Sequence, residues 1–236
     1  MKKHLPNALT CLNLFCGCLA LVLVLRGGPH NQIVLATYLV GVAAVADFFD
    51  GLAARALGVS SPIGKDLDSL ADMVSFGVVP GAILYKLLEW ALLGDSNWPY
   101  LPFAALTITI FSALRLAKFN NDTRQTDSFI GLPTPACTLV VAALPLILAN
   151  DRFGLTVYIL NPWFLLGLTA LLSGLLVAEV PLFALKFKNF GWADNRRRYI
   201  FIVFALGLLV GLGAVGVPLA VLAYVAMSVP GTRATA

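Results

Sequence analysis

The chain has 236 residues, of which 59% are hydrophobic and 12% are charged, and its mean hydropathy is +0.88. This composition excludes an ordinary water-soluble domain of that length and is typical of an integral membrane protein. The net charge of +4 is explained by basic residues on one side of a membrane, so it does not indicate a nucleic-acid partner.

Apolar stretches recur along the chain at roughly the length of a membrane-spanning helix, which is about 20 residues. They lie at 9–26, 32–54, 67–93, 99–119, 133–150, 161–185, 199–213 and 216–229. We predict an all-α, polytopic membrane bundle of about eight transmembrane helices. The last two are divided least clearly, because Gly211, Gly213 and Gly216 would either break one hairpin or separate two short helices at a turn. No linker appears in the sequence, so we expect one membrane-embedded domain over 1–236.

Lysine and arginine residues are distributed unevenly between the two ends of these stretches. If the N-terminus lies in the cytoplasm, only Arg26 and Arg152 fall on the outer side, while Lys86 lies within the third span. Cytoplasmic loops of membrane proteins are rich in lysine and arginine. This pattern therefore predicts that both termini are cytoplasmic.

The window from Asp47 to Asp72 departs from the apolar pattern, because it holds five carboxylates within 26 residues. Two helix faces follow from a rotation of about 100° per residue. One face carries Asp47, Asp50, Gly51 and Ala54, and the other carries Gly64, Asp68, Asp72 and Ser75. Asp66 lies on the side of its helix opposite to Asp68 and Asp72, and Pro62 interrupts the helical conformation between the two faces. We therefore expect four carboxylates to converge at the cytoplasmic membrane surface.

Carboxylates beside hydrocarbon are costly and require compensating cations. Oxygen ligands without histidine or cysteine favour Mg²⁺ or Mn²⁺, and two such ions about 3.5–4 Å apart would suit a phosphoryl displacement. One alternative is that the acids pair with Arg55 and Lys65, although two cations cannot neutralise five acids. Another is the ion or proton relay of a transporter, which the absence of an internal sequence repeat disfavours.

The window also contains a motif with fixed spacing. It reads Asp47-x2-Asp50-Gly51-x2-Ala54-Arg55-x8-Gly64-x3-Asp68-x3-Asp72. This motif resembles the signature of the CDP-alcohol phosphotransferase family. The resemblance implies a six-helix core that usually dimerises and a divalent-metal site at the cytoplasmic membrane surface. It also implies transfer of a phosphatidyl-type group from a CDP-linked lipid to an alcohol.

The resemblance also assigns roles to residues of the window. It implies that Asp47, Asp50, Asp68 and Asp72 hold two divalent ions, Mg²⁺ or Mn²⁺, and that Asp72 is also the general base. It implies that Gly51, Arg55 and Ser61 contact the CDP group. These residue types suit the roles, because glycine permits close approach and arginine offers planar donors to phosphate. Gly64 is interpreted as a packing or turn residue.

Stretches outside the motif narrow the resemblance to one branch of the family. They are Pro6-Asn7-x2-Thr10-x2-Asn13-Leu14, the run 68–80, the run 115–120 and the run 131–136. These stretches are similar to bacterial integral-membrane phosphatidylserine synthases, from Pro6 to about Lys188. The similarity implies a catalytic core over about 6–188 and an extra C-terminal helical hairpin over about 199–229. It favours cytidine contact for Asn7, Thr10 and Asn13, although Asn7 would also serve as a helix cap.

The same resemblance implies CDP-diacylglycerol and serine as substrates and a homodimer in the bacterial cytoplasmic (inner) membrane. The serine carboxylate requires a cation, for which Arg115, Lys118 and Arg124 are the candidates. For Lys118 and Arg124, anchoring at the membrane surface is an equally good interpretation. Glycerol 3-phosphate, an inositol phosphate or choline remain alternative acceptors with the same chemistry.

Overall fold

A computed structural model describes residues 4–26, 30–59, 61–94, 97–121, 128–183 and 191–228. The α-helices are α1 (Leu5–Leu25), α2 (His30–Ala56), α3 (Pro62–Asp72), α4 (Val79–Ala91), α5 (Thr107–Asn121), α6 (Thr134–Ala149), α7 (Thr156–Ile159), α8 (Pro162–Val177), α9 (Trp192–Leu212) and α10 (Gly216–Ser228). A π-helical segment, Met73–Val78, joins α3 to α4, and 3₁₀ turns at Leu101–Leu106 and Gly213–Val215 precede α5 and α10. Two short strands, β1 (Ser128–Ile130) and β2 (Pro181–Phe183), complete the described elements.

Five helical stretches in the described ranges are long and apolar enough to cross a membrane. They are Leu5–Leu25, Asn31–Ala56, Pro62–Ala91, Leu101–Asn121 and Asn195–Ser228, and the apolar helices Thr134–Ala149 and Pro162–Val177 are shorter. The predicted all-α membrane bundle is confirmed, whereas the count of eight spans stays a prediction. Large apolar side chains such as Val210 and Val203 are exposed on the outside of the bundle, at 87% and 71%, as expected of helices that face lipid.

The last of these stretches is a hairpin of two helices. The chain turns at Gly213, which has a φ of +57°, a value that favours glycine. Phe201 of α9 and Tyr224 of α10 then lie side by side, with 5.5 Å between ring centroids. The predicted start of this pair of helices, residue 199, is wrong, because α9 already begins at Trp192.

The predicted apolar helix over 161–185 is wrong in its last third, because α8 ends at Val177. Ala178 is already extended, with a ψ of 140°, and Pro181 disfavours a helical conformation in the residue before it. The chain instead forms β2, which pairs antiparallel with β1 in the register Ser128↔Phe183 and Ile130↔Pro181. This two-stranded ribbon links the loop after α5 to the segment after α8.

Helix α4 lies in the core of the bundle and is continuous, through the π-helical segment, with α3, which carries Asp68 and Asp72. Residues 79–84 and 87–88 of α4 are all buried. The π-helical segment below Asp72 packs closely on α1, since a Cβ atom on Gly17 would overlap Ser75. The Ser75 hydroxyl also donates to the Asn13 carbonyl oxygen at 3.1 Å. The start of α1 is thereby fixed beside the end of α3.

Candidate metal and nucleotide site

Three carboxylates converge where the end of α2 meets α3. One oxygen each from Asp47, Asp50 and Asp68 lies within 4.8 Å of the others. The turn between the helices brings them together, because Ser61 caps α3 by accepting a hydrogen bond from the Gly64 amide at 3.0 Å and Pro62 begins the helix. Carboxylates that are spaced along two helices thus form one cluster of oxygen atoms that could hold a metal ion.

Asp72 lies one turn beyond Asp68 and interacts with the Asp47 and Asp68 carboxyl groups. Its Oδ1 atom accepts a hydrogen bond from Asn13 Nδ2 at 3.2 Å. Asp66, in contrast, is exposed on the other side of the helix. The structure therefore brings together the four acids that the helical spacing selects and leaves the fifth outside.

No described lysine or arginine forms an ion pair with these four acids. Lys65 instead donates from Nζ to the Asn120 carbonyl oxygen at 3.2 Å, and Arg55 has its guanidinium beside Gly51. The alternative in which Arg55 and Lys65 neutralise the acids does not hold among the described residues. Clustered carboxylates require another source of positive charge, and an all-oxygen donor set fits a hard divalent ion.

Thr10 of α1 orients one of these carboxylates. Its hydroxyl lies 2.6 Å from Asp50 Oδ2 and 3.0 Å from the Pro6 carbonyl oxygen, and Thr10 is almost fully buried. Asn13 has the same relation to Asp72 and is 0% exposed. Hydrogen bonds of this kind, from residues behind the ligands, fix carboxylate orientation in metal sites. The predicted contact of these two residues with cytidine stays a prediction: Thr10 lies on the wall of the neighbouring cavity, whereas Asn13 lies behind it.

A cavity of about 710 Å³ opens beside the acids. It is lined by Pro6, Asn7, Thr10, Asp50, Gly51, Ala54, Arg55, Gly58, Val59, Ser61, Gly64, Lys65 and Asp68. Its volume is within the range of small-molecule and cofactor sites. Five of the six residues predicted to contact the nucleotide lie on its wall, and Asn13 does not.

Gly51 and Arg55 form one wall of this cavity, a single helical turn apart. A Cβ atom on Gly51 would lie 3.8 and 3.9 Å from the two terminal nitrogens of Arg55, and it would meet no other side chain within 4 Å. The fold itself therefore has room for a methyl group at position 51. The free space lies beside a cation of the cavity wall, an arrangement suited to phosphate oxygens.

Arg115 lies apart from the cavity wall and is buried in α5, with 4% of its surface exposed. Its Nε atom donates to the Leu132 carbonyl oxygen at 3.3 Å, and its guanidinium carbon lies 5.4 Å from the centre of the Phe119 ring. Lys118 is exposed. Arg124, the third predicted acceptor contact, lies outside the described residues.

The π-helical segment that follows Asp72 was not indicated by the sequence. Thr138 of α6 places its hydroxyl 2.9 Å from the Phe76 carbonyl oxygen, and Thr109 of α5 donates to the Gly77 carbonyl oxygen at 2.9 Å. A π turn shifts backbone bonding from i→i+4 to i→i+5 and often occurs at functional sites. Hydroxyl donors from two neighbouring helices stabilise this one directly below the acidic cluster.

Comparison with known proteins places this geometry in a family. The model of the family described as CDP-alcohol phosphatidyltransferase matches residues 3–173, a range that includes the four acids, the cavity wall and Arg115.

Several curated relatives are similar over most of the chain, and each is named CDP-diacylglycerol--serine O-phosphatidyltransferase. The Bacillus subtilis protein is 34% identical over 160 residues, covering 65% of this chain and 85% of its own length. The Helicobacter pylori (strain J99) protein is 31% identical over 208 residues, covering 86% and 80%. The Methanocaldococcus jannaschii protein is 31% identical over 173 residues, covering 73% and 70%. Family model, relatives and acidic motif agree, and the chain belongs to the CDP-alcohol phosphatidyltransferase family.

Proposed function

We propose that the chain transfers the phosphatidyl group of CDP-diacylglycerol to the hydroxyl group of L-serine, giving phosphatidylserine and CMP. The observation that carries the reaction class is the cluster of carboxylates beside a cavity that also presents Arg55. Serine as the acceptor is supported by the names of relatives that are 31–34% identical to this chain.

Asp47, Asp50, Asp68 and Asp72 would hold two divalent ions, either Mg²⁺ or Mn²⁺. When bound, the ions would supply positive charge to the pyrophosphate and to the departing CMP. Thr10 and Asn13 hold two of the carboxylates in position through hydrogen bonds of 2.6 and 3.2 Å. The chain thus provides both oxygen ligands and the groups that orient them.

The CDP group would occupy the cavity, with Arg55 donating to phosphate oxygens above the bare backbone of Gly51. Asn7 and Ser61 lie on the same wall and would contact the rest of the nucleotide. The Ser61 hydroxyl already accepts the Gly64 amide hydrogen, so it retains its O–H for donation to a ligand. The acyl chains would remain in the bilayer beside the cytoplasmic end of the bundle.

Asp72 would take the proton from the serine hydroxyl as that oxygen attacks the lipid-side phosphorus of the pyrophosphate. The new O–P bond forms while the bond from phosphorus to the CMP oxygen breaks, and CMP leaves with the electron pair. Asn13 keeps the Asp72 carboxyl in one orientation for this transfer. Arg115, with Lys118 and Arg124, would bind the serine carboxylate.

We further propose that the protein is a homodimer in the bacterial cytoplasmic membrane, with the acidic cluster facing the cytoplasm. The positive-inside distribution of lysine and arginine supports this orientation. Labelling from each side of the membrane tests it, using Asp66→Cys in a cysteine-free background because position 66 is exposed beside the cluster. Cross-linking in membranes tests the dimer.

The decisive experiment supplies purified protein with CDP-diacylglycerol, Mg²⁺ or Mn²⁺, and one acceptor at a time. Serine, glycerol 3-phosphate, an inositol phosphate and choline are compared, and both CMP and the lipid product are measured. We expect CMP release that depends on serine and on the metal, with phosphatidylserine as the product. Turnover with another acceptor and none with serine would contradict the substrate, and no CMP release with any alcohol would contradict the reaction.

A further inference from the structure

A polar side chain of the C-terminal hairpin contacts the ribbon of β1 and β2. The Tyr224 hydroxyl of α10 donates to the Phe183 carbonyl oxygen of β2 at 2.8 Å. The Phe183 ring lies 5.0 Å from that of Tyr224 and 5.9 Å from that of Phe201 in α9, between ring centroids. Tyr224 is 7% exposed, although much of the hairpin faces outward. This contact therefore points from the hairpin into the bundle.

Backbone pairing in the ribbon connects β2, which contacts Tyr224, to β1 and the loop before α6. Phe183 pairs with Ser128 and Pro181 pairs with Ile130. Beyond the paired residues, the Gly131 amide donates to the Val180 carbonyl oxygen at 2.8 Å. A hydrogen bond in an apolar surrounding is costly to leave unmade, so these backbone groups keep the two segments in register.

The next residues are fixed against the end of α8. Gly131 has a φ of +79°, and a Cβ atom there would lie 2.8 Å from the Ala178 carbonyl oxygen and 2.9 Å from that of Leu176. The Leu132 amide donates to the Leu175 carbonyl oxygen at 2.9 Å, and Leu132 is 1% exposed. The Leu132 carbonyl group consequently has one defined direction.

That carbonyl oxygen accepts the hydrogen bond from Arg115 Nε at 3.3 Å. A planar guanidinium held at Nε has its terminal nitrogens oriented in one plane. A continuous series of contacts therefore runs from the hydroxyl of Tyr224 through β2, β1 and Leu132 to Arg115. Its far end, at Tyr224, lies beyond residue 173, where the family match stops.

We infer that the C-terminal hairpin is a part of the acceptor site, in which Tyr224 is a positioning residue that sets the orientation of Arg115 through the β1–β2 ribbon. The inference rests on the proposed function, in which Arg115 binds the acceptor carboxylate. It assigns to α9 and α10 a role in acceptor affinity beyond that of membrane anchors. The donor cavity, built from α1 to α3, shares no residue with this series.

The test compares Tyr224→Phe with wild type in the full-length protein reconstituted in phosphatidylglycerol vesicles. This change keeps the ring and removes the hydroxyl. We expect the KM for serine to rise about 5- to 10-fold, the effect of losing one buried hydrogen bond, while the KM for CDP-diacylglycerol stays unchanged. If the hairpin serves only as a membrane anchor, Tyr224→Phe will leave the ratio of the serine KM to the CDP-diacylglycerol KM unchanged.

The matched control is Ser228→Ala, one turn along the same helix. Ser228 is equally buried, and within the described residues its hydroxyl donates to the Tyr224 carbonyl oxygen of its own helix, at 2.7 Å. We expect this variant to have wild-type KM values. A second measurement combines Tyr224→Phe with Arg115→Lys. If Tyr224 acts through Arg115, the two changes together raise the serine KM by less than the product of their separate effects.

The outcomes separate this inference from the proposed function. Equal KM changes for both substrates, an unchanged serine KM, or multiplicative effects in the double variant would overturn the positioning role while serine remained the substrate. Wild-type turnover with another alcohol in place of serine would overturn the proposed substrate. In that case the same KM comparison, made with that alcohol, still decides the role of Tyr224.

Discussion

The donor side and the acceptor side of this site are built in different ways. The donor cavity and the acids come from α1 to α3, and all of their residues lie between Pro6 and Asp72. The proposed acceptor side depends on Arg115, Leu132, β2 and Tyr224, which are spread over almost half of the chain. Helical spacing governs the first region, whereas contacts between distant segments govern the second. In the function proposed above, residues for the reaction chemistry are thus close in sequence, and those for acceptor binding are brought together by tertiary packing.

The strongest test of the local region is removal of the proposed base. Asp72→Asn keeps the shape of the side chain and removes its basicity, so we expect turnover to fall about 10²- to 10⁴-fold. CMP release measures this effect. The matched control is Asp66→Asn on the same helix, where the side chain is exposed and turnover should stay within about twofold of wild type. Substantial activity in Asp72→Asn would remove Asp72 from the base role.

Metal binding to the acids has a readout other than activity. A ligand that binds only the folded protein stabilises it by about 2.7 kcal/mol at 100 times its Kd. We expect the thermal midpoint of wild type to rise with Mg²⁺ or Mn²⁺ and to fall after chelation. Asp68→Asn should weaken this dependence and Asp66→Asn should keep it. An equal response in both variants would place the ion elsewhere.

On the acceptor side, Arg115→Ala should act on one substrate only. Removing a buried charge that pairs with a ligand charge costs about 2–5 kcal/mol, which corresponds to roughly 30- to several-thousand-fold in the serine KM. Lys118→Ala removes an exposed cation that is proposed to bind the same carboxylate. Because an exposed ion pair contributes at most about 1 kcal/mol, that KM should rise by no more than about fivefold. Measuring the KM values for both substrates shows whether the donor and acceptor regions are independent. An equal rise in the KM for CDP-diacylglycerol in Arg115→Ala would show that they are not.

A smaller effect on the donor side is expected from Gly51→Ala. The added methyl group finds ordinary contact with Arg55 in the fold, so the thermal midpoint should be kept. Because the methyl occupies space beside Arg55, the KM for CDP-diacylglycerol should rise about tenfold, as for a modest steric clash. Gly41→Ala in the same helix meets nothing within 4 Å and is the control. Wild-type donor KM in Gly51→Ala would show that the nucleotide does not approach this backbone.

The seam between the two regions is tested by Thr138→Val. The Thr138 hydroxyl lies 2.9 Å from the Phe76 carbonyl oxygen across a helix boundary and 2.9 Å from the Thr134 carbonyl oxygen of its own helix, so its single proton is shared between the two. Losing this hydroxyl should destabilise the fold by about 1–3 kcal/mol with a few-fold loss of turnover. The control is Thr169→Val, which removes a buried hydroxyl whose partner in the described part of the chain is the Leu165 carbonyl oxygen of its own helix, at 2.7 Å. Denaturation and CMP release on both variants isolate the bond between helices. Equal destabilisation would show that this bond adds nothing.

The acidic cluster was predictable because it depends on short-range geometry. A rotation of about 100° per residue places Asp68 and Asp72 on one face and Asp66 on another, and the structure has that arrangement. For Thr10 and Asn13 the sequence predicts contact with cytidine, and the structure shows in addition that they hydrogen-bond to Asp50 and Asp72. Their spacing of three residues places both on one face of α1, which was the available signal for contact with the acids of the neighbouring helix.

The ribbon and the π-helical segment were not predictable from the sequence. Strands of three residues have little intrinsic preference and depend on their partner, and the partner of Phe183 lies at Ser128. The run 178–183 therefore looks like the continuation of an apolar helix. The π turn depends on hydroxyl groups of Thr109 and Thr138, which belong to later helices. In both cases the deciding contact is distant in sequence.

The π-helical segment Met73–Val78 has a consequence for insertions and deletions. A π turn holds one residue more than the α turn it replaces, so deleting one residue there would convert it to a regular helix. The helix on either side would keep its rotation, so Asp68 and Asp72 would stay on the face of the cluster. Closing the segment into regular α turns without a deletion would instead rotate them by about 100° relative to α4 and take them out of the cluster. The π turn between Asp72 and Pro80 is thus as much a part of the active-site geometry as the carboxylates themselves.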